Sequence, residues 1–352
     1  MKLFKKISLL FVLIFLYIFT LTRNYIPQTI AVEGEEIKIS DIQVIPVGEI
    51  VGIKLYTSGV LVVGTSTIEG TDGIIHKPYE NTEIKEGDSI IAINNNIINN
   101  TNELIDAINL SNGQKIEITY KHENEEKKCE ITPVKHKSGL YKIGLWVRDS
   151  AAGVGTVTFY SEQTQTFAAL GHGITDIDTG DLIQTSSGEI DNVNIISIVK
   201  GETEVPGKIQ GSIKSNSIIG KIYKNTEYGI YGVIKNLSNL SIDISKKMNV
   251  AERHEIELGE ASILSNVNGE FKEYKIEIER TYLNNNHDNK SMVIKVTDEE
   301  LLNKTGGIVQ GMSGSPVIQN GKFCGAVTHV FVNNPTIGYA VFADRMLQEL
   351  AE

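Results

Sequence analysis

Gly306-Gly307-Ile308-Val309-Gln310-Gly311-Met312-Ser313-Gly314-Ser315-Pro316-Val317 sets a serine among glycines directly before an apolar strand. The glycines permit positive φ and keep side chains out of a substrate's path. A tight turn here can aim the backbone N–H groups of Gly311 and Ser313 at one point, the geometry of an oxyanion hole. Ser313 is therefore a candidate nucleophile, against the plainer reading of a Gly/Ser-rich hairpin turn.

A hydroxyl of ordinary acidity needs a base within hydrogen-bond reach. Of the seven histidines, His76, His122 and His136 fall in the first domain or the linker after it. His254 lies in the polar stretch Ala251-Glu252-Arg253-His254-Glu255, and His287 in the Asn-rich tract from Asn284 to Lys290, read as a solvated turn. His172 stands between two glycines in Ala169-Leu170-Gly171-His172-Gly173-Ile174 and precedes Ser313, so it is the candidate base. Gly-x-Ser-Gly-x-Pro followed by a Gly-Ala-Val strand resembles the nucleophile region of chymotrypsin-like serine proteases, with Ser315 at a position that is usually glycine. In that resemblance Thr328 and His329 line the substrate pocket. Asp176, Asp178 and Asp181 after His172 invite a calcium reading, but the twelfth position from Asp176 is Ser187 rather than a bidentate Glu. No metal or other cofactor is expected.

Composition sets the frame. A chain of 352 residues suggests roughly two domains, and 41% hydrophobic against 22% charged residues is a globular balance. The net charge of −11, with no dense Lys/Arg patch, argues against a nucleic-acid surface. Cys129 and Cys324 form no disulfide framework and no zinc-type pair; both read as buried thiols. Thirty-two glycines suggest many tight turns between short strands. From residue 137 to 352 such strands recur, among them Gly155–Tyr160, Tyr274–Arg280, Met292–Val296 and Tyr339–Phe342, and read as a β-barrel or a pair of barrels. At the N-terminus, Lys2, Lys5 and Lys6 precede an uncharged run from Ile7 to Leu21. Positive residues before such a run keep that end cytoplasmic and send the remainder across. With no small-x-small site before Pro27, residues 1–25 read as a single-pass anchor rather than a cleaved signal, followed by a linker over 26–36.

Between residues 37 and 135, β-type runs alternate with turns, and Thr101–Leu110 has helical spacing. Ile84-Lys85-Glu86-Gly87-Asp88-Ser89-Ile90-Ile91-Ala92-Ile93-Asn94 resembles the centre of a PDZ domain. That resemblance puts a carboxylate-binding loop on Gly52-Ile53-Lys54-Leu55, with a peptide added as a strand to the sheet edge.

Anchor, PDZ-like module and late Gly-Met-Ser-Gly-Ser-Pro motif together resemble the stage IV sporulation protein B peptidases, through Ser58–Gly64, Ala169–Ile174, Lys304–Pro316 and Thr328–Val332. The resemblance implies a mainly β chain with a chymotrypsin-like double β-barrel over 137–352. It implies His172 and Ser313 as catalytic residues, with Asp298 as the third member. Thr297–Glu300 also reads as the capping box of a helix N-terminus, and Asp176 and Asp178 are alternative third members. The activity implied is that of a sporulation signalling endopeptidase exported across the forespore membrane. It would process itself near Thr29–Ser40 and cleave a membrane-bound regulator, which triggers pro-sigma factor processing. The contrasting reading is a catalytically inactive PDZ-bearing envelope adaptor.

Overall fold

The computed structural model describes residues 29–32, 35–122, 125–235, 237–283 and 289–351. The apolar N-terminal run, read above as an anchor, and His287 lie outside these residues. Among the described residues no helix is long and apolar enough to cross a membrane.

One strand organises the molecule. β1 (Gln43–Thr65) is buried without a break from Val44 to Ile53 and alternates only beyond that, with Ile45, Val47, Val51, Ile53 and Leu55 in one core and Val44 and Ile50 in two others. Its C-terminal part pairs with β2 (Ser89–Ile93), and the sheet continues through β3 (Ile116–His122) and β4 (Glu125–Ile131). Helix α1 (Thr101–Leu110) turns Leu104 and Ile108 into this PDZ-like unit's core, against Val60, Val62, Ile90 and Ile118. Asn100 caps α1 by accepting from the Glu103 amide at 2.9 Å, one residue before the expected Thr101 start.

The N-terminal part of β1 belongs to a different body. With β5 (Leu145–Ser161), β6 (Thr166–Ala169), β7 (Thr185–Val199), β8 (Lys208–Thr226) and β9 (Gly229–Ile234) it runs in the order β5-β6-β9-β8-β7-β1. Because β5 also pairs with β1, these six strands close into a ring around Val157, Phe167, Ile190, Ile219 and Ile230. This corrects the expected carboxylate-binding loop. Gly52-Ile53-Lys54-Leu55 is strand interior: Gly52 lies opposite Val154 and Asp191, and Leu55 opposite Ala151 and Gly188. Val51, Ile53 and Leu55 face one core at every second position, which carries the strand straight through the expected turn, and Lys54 lies over the Tyr56 ring at 4.8 Å.

A second barrel follows, made of β10 (Gly259–Ser265), β11 (Lys272–Thr281), β12 (Met292–Val296), β13 (Pro316–Gln319), β14 (Lys322–Phe331) and β15 (Asn334–Phe342). Its core holds Ile263, Tyr274, Ile276, Ile294, Val317 and Phe342. Helix α2 (Glu299–Thr305) links β12 to the glycine-rich turn, and α3 (Ala343–Ala351) packs Met346 and Leu347 over the seam between barrels. There Phe159 of the first barrel meets Phe323 of the second edge-on at 5.3 Å. Cys324 is buried, and that burial pushes its thiol up to about 12; Cys129 is only half-buried, its thiol raised to about 11.

Candidate active site

The two motifs meet at the junction of the barrels. His172 follows β6, where the chain turns through Leu170 and Gly171 at φ +72 and +69. A left-handed leucine costs on the order of 1–3 kcal/mol, and here its side chain is buried in the first core. A Cβ on Gly171 would stand 3.1 Å from Thr328 Cγ2 and Val341 Cγ1, so this turn is pressed against β14 and β15 of the second barrel. Gly314 is the reciprocal contact. Its φ is +97, and a Cβ there would lie 2.1 Å from the Thr156 carbonyl oxygen and 2.6 Å from the Leu170 nitrogen. No other residue fits that approach.

Thr156 of β5 braces the serine turn. Its N–H donates to the Ser313 carbonyl at 3.0 Å, and its hydroxyl donates to the Gly311 carbonyl at 2.7 Å. Within the turn, Met312, Gly314 and Ser315 donate their amides to Val309, Val327 and Met312. Among the described residues the amides of Gly311 and Ser313 have no acceptor. Ser313 is partly exposed, whereas Ser315 is fully buried.

The His172 Nδ1 lies 2.8 Å from the Gly173 carbonyl. A carbonyl only accepts, so Nδ1 carries the proton and Nε2 presents its lone pair. Burial lowers the His172 pKa from the ordinary histidine value, partly offset by the Gly173 carbonyl. The ring stands 5.1 Å from that of His329, centroid to centroid. Ser313 Oγ donates to the Thr328 carbonyl at 2.8 Å, on the residue immediately before His329. Both imidazoles line a cleft of about 920 Å³, together with Leu170, Ile174, Glu227 and Lys290. Thr328 supplies its carbonyl rather than its side chain, since its buried hydroxyl donates to Asn289.

Asp298 is placed differently from its expected role. It is the N-cap of α2, one residue later than the expected Thr297. One carboxylate oxygen accepts from Leu301 N at 3.0 Å and the other from Lys275 N at 3.3 Å. The Nδ1 partner of His172 is the Gly173 carbonyl instead. The two alternative aspartates are also engaged elsewhere: Arg148 of β5 pairs with Asp176 at 2.6 Å and with Asp178 at 2.7 Å. Sequence reasoning missed the Gly173 carbonyl, Leu170, Thr156 and Arg148. The first two act through backbone geometry, and the others take their meaning from strand pairing.

Comparison with known proteins places these motifs. The family description "SpoIVB peptidase S55" matches residues 139–347, and "PDZ domain" matches residues 60–132. No curated protein matches the chain. Among solved structures, the PDZ domain of the SdrC-like protein Lmo2051 from Listeria monocytogenes is 26% identical, covering 26% of this chain and 87% of that one, at a TM-score of 0.20. The active form of the Rv3671c protease from M. tuberculosis is 13% identical, covering 57% of this chain and 74% of that one, at a TM-score of 0.33. With the peptidase match spanning more than half of its length, the chain is a serine endopeptidase and belongs to the SpoIVB peptidase S55 family.

Proposed function

We propose that the protein is a sporulation signalling endopeptidase in which Ser313 Oγ attacks the scissile carbonyl carbon. His172 Nε2 takes the hydroxyl proton and returns it to the leaving amine as the C–N bond breaks. Water, deprotonated by the same nitrogen, then hydrolyses the acyl-enzyme on Ser313. The observation that carries this reading is the pair of amides at Gly311 and Ser313, which have no acceptor among the described residues while Met312, Gly314 and Ser315 beside them donate theirs. They suit the oxyanion of the tetrahedral intermediate. The Gly173 carbonyl does the orienting work given to aspartate in other triads: it selects the tautomer whose Nε2 is basic. In the resting arrangement the Ser313 hydroxyl sits on the Thr328 carbonyl, and the proposed attack requires it to leave that carbonyl for His172. The double-barrel arrangement, with histidine from one barrel and serine from the other, supports a chymotrypsin-like reading.

Membership of the family supports the wider role. In this reading residues 1–25 anchor the chain, the remainder works in the space between the forespore membranes, and the substrates are the chain itself and a membrane-bound regulator of pro-sigma factor processing. The test is self-processing of the full-length chain, wild type beside Ser313→Ala, with the product's N-terminus sequenced. The expected result is a new N-terminus between Thr29 and Ser40 from wild type alone. The same product from Ser313→Ala overturns the proposal.

A further inference from the structure

A PDZ-type groove binds an extended peptide as an added strand between a sheet edge and a helix. In this molecule that place is filled by the chain itself. The segment from Tyr141 to Asp149 enters the first barrel as β5, and its Leu145, Trp146, Val147 and Arg148 pair antiparallel with Thr65, Gly64, Val62 and Leu61 of β1. On its other side it follows α1 from end to end. Tyr141 N donates to Asn109 Oδ1 at 2.9 Å near the helix C-terminus, and Asp149 Oδ2 accepts from Thr101 N at 2.8 Å at the helix N-terminus. Ile143 is buried in the unit's core, and Leu145 and Val147 pack against it. The alternate side chains of the segment thus occupy pockets that a bound peptide's would use.

Where the segment leaves the groove, Arg148 reaches the loop after His172. Asp176 is almost fully buried, with its second oxygen accepting the amides of Asp178 and Thr179, so Arg148 is the cation that balances it. Asp178, half-exposed, completes the fork. Beyond Arg148 the same strand runs on to Thr156, which braces the Ser313 turn. One strand therefore spans the groove, the His172 loop and the oxyanion turn.

We propose that residues 141–148 are the resident ligand of the PDZ-like unit, and that Arg148 is a positioning residue that couples their seating to the loop behind His172. The unit then clamps its own peptidase domain, and an incoming peptide has no vacant strand position beside β1.

Two measurements on the full chain test this. An ideal Cβ on Gly64 lies 3.7 Å from Trp146 Cβ, within the range that a disulfide bridges. Gly64→Cys with Trp146→Cys should oxidise to a 64–146 disulfide, identified by peptide mapping, and should react with a fluorophosphonate at the same rate oxidised and reduced. Failure to form the bridge, or labelling that is lost on oxidation and restored by reduction, overturns the resident ligand. For the coupling, Arg148→Ala should slow labelling on the order of tenfold, with Arg148→Lys recovering part of the rate and the midpoint of urea unfolding matched between the two. Labelling of Arg148→Ala at the wild-type rate, or loss that follows the unfolding midpoint instead of the side chain, overturns it. The labelling readout rests on Ser313 as nucleophile. Wild type that fails to label defeats that assignment, whereas disulfide formation judges the groove by itself.

Discussion

At the scale of single residues, the site turns on which atom of His172 carries the proton. The Gly173 carbonyl holds it on Nδ1, and burial disfavours a second one. Catalysis needs the neutral ring, so the rate should rise with pH as His172 loses its proton, along a limb below the ordinary histidine value of about 6.5, and level off by neutrality. A pH profile of fluorophosphonate labelling checks this; a limb above that value would contradict it. Asp298 gives a second test. Asparagine keeps the cap on Leu301 but turns its NH2 toward the Lys275 amide, so Asp298→Asn should cost about 1 kcal/mol or less and leave the rate near wild type. Asp298→Ala should cost about 1 kcal/mol in urea unfolding with little change in rate. A triad orienter would instead lose on the order of 10⁴ in turnover on change to asparagine. Ser313 and His172 could be singled out as candidates because each sits in a glycine frame that few structural residues need. Gly173 was not, since every residue carries a carbonyl and only the fold says which one faces an imidazole.

Among the elements, those with a clear period were readable. Helix α1, β2 and β12 fall on the residues that spacing and turn signals select. Long β1 was not, because the strand runs on through Gly52 and Gly59, which read locally as turn signals. The place of Gly52 makes a prediction. A Cβ there would stand 2.5 Å from Ile213 Cγ1, so Gly52→Ala should cost roughly 1–3 kcal/mol through overpacking of the barrel, measured by urea unfolding. A carboxylate-binding loop at this position would lose peptide capture rather than stability. Gly314→Ala should be more damaging, destabilising by more than about 2 kcal/mol, since both its φ and its contact with the Thr156 carbonyl exclude a side chain.

For the molecule as a whole, the mainly β character was legible from glycine-punctuated strands, whereas the division into a PDZ-like unit and two barrels is a finding of the structure. How they are joined was hidden in long-range pairing. β1 serves both the PDZ-like sheet and the first barrel, and β5 closes that barrel while running beneath the serine turn. The proposed active site is thus a property of the assembled barrels, with His172 carried by one and Ser313 by the other. The most direct test is to map by mass spectrometry where a fluorophosphonate attaches to the full chain. The account predicts one adduct on Ser313, lost in Ser313→Ala, sharply slowed in His172→Ala and retained in Ser315→Ala. An adduct on Ser315, or one on Ser313 whose formation ignores His172, would contradict it.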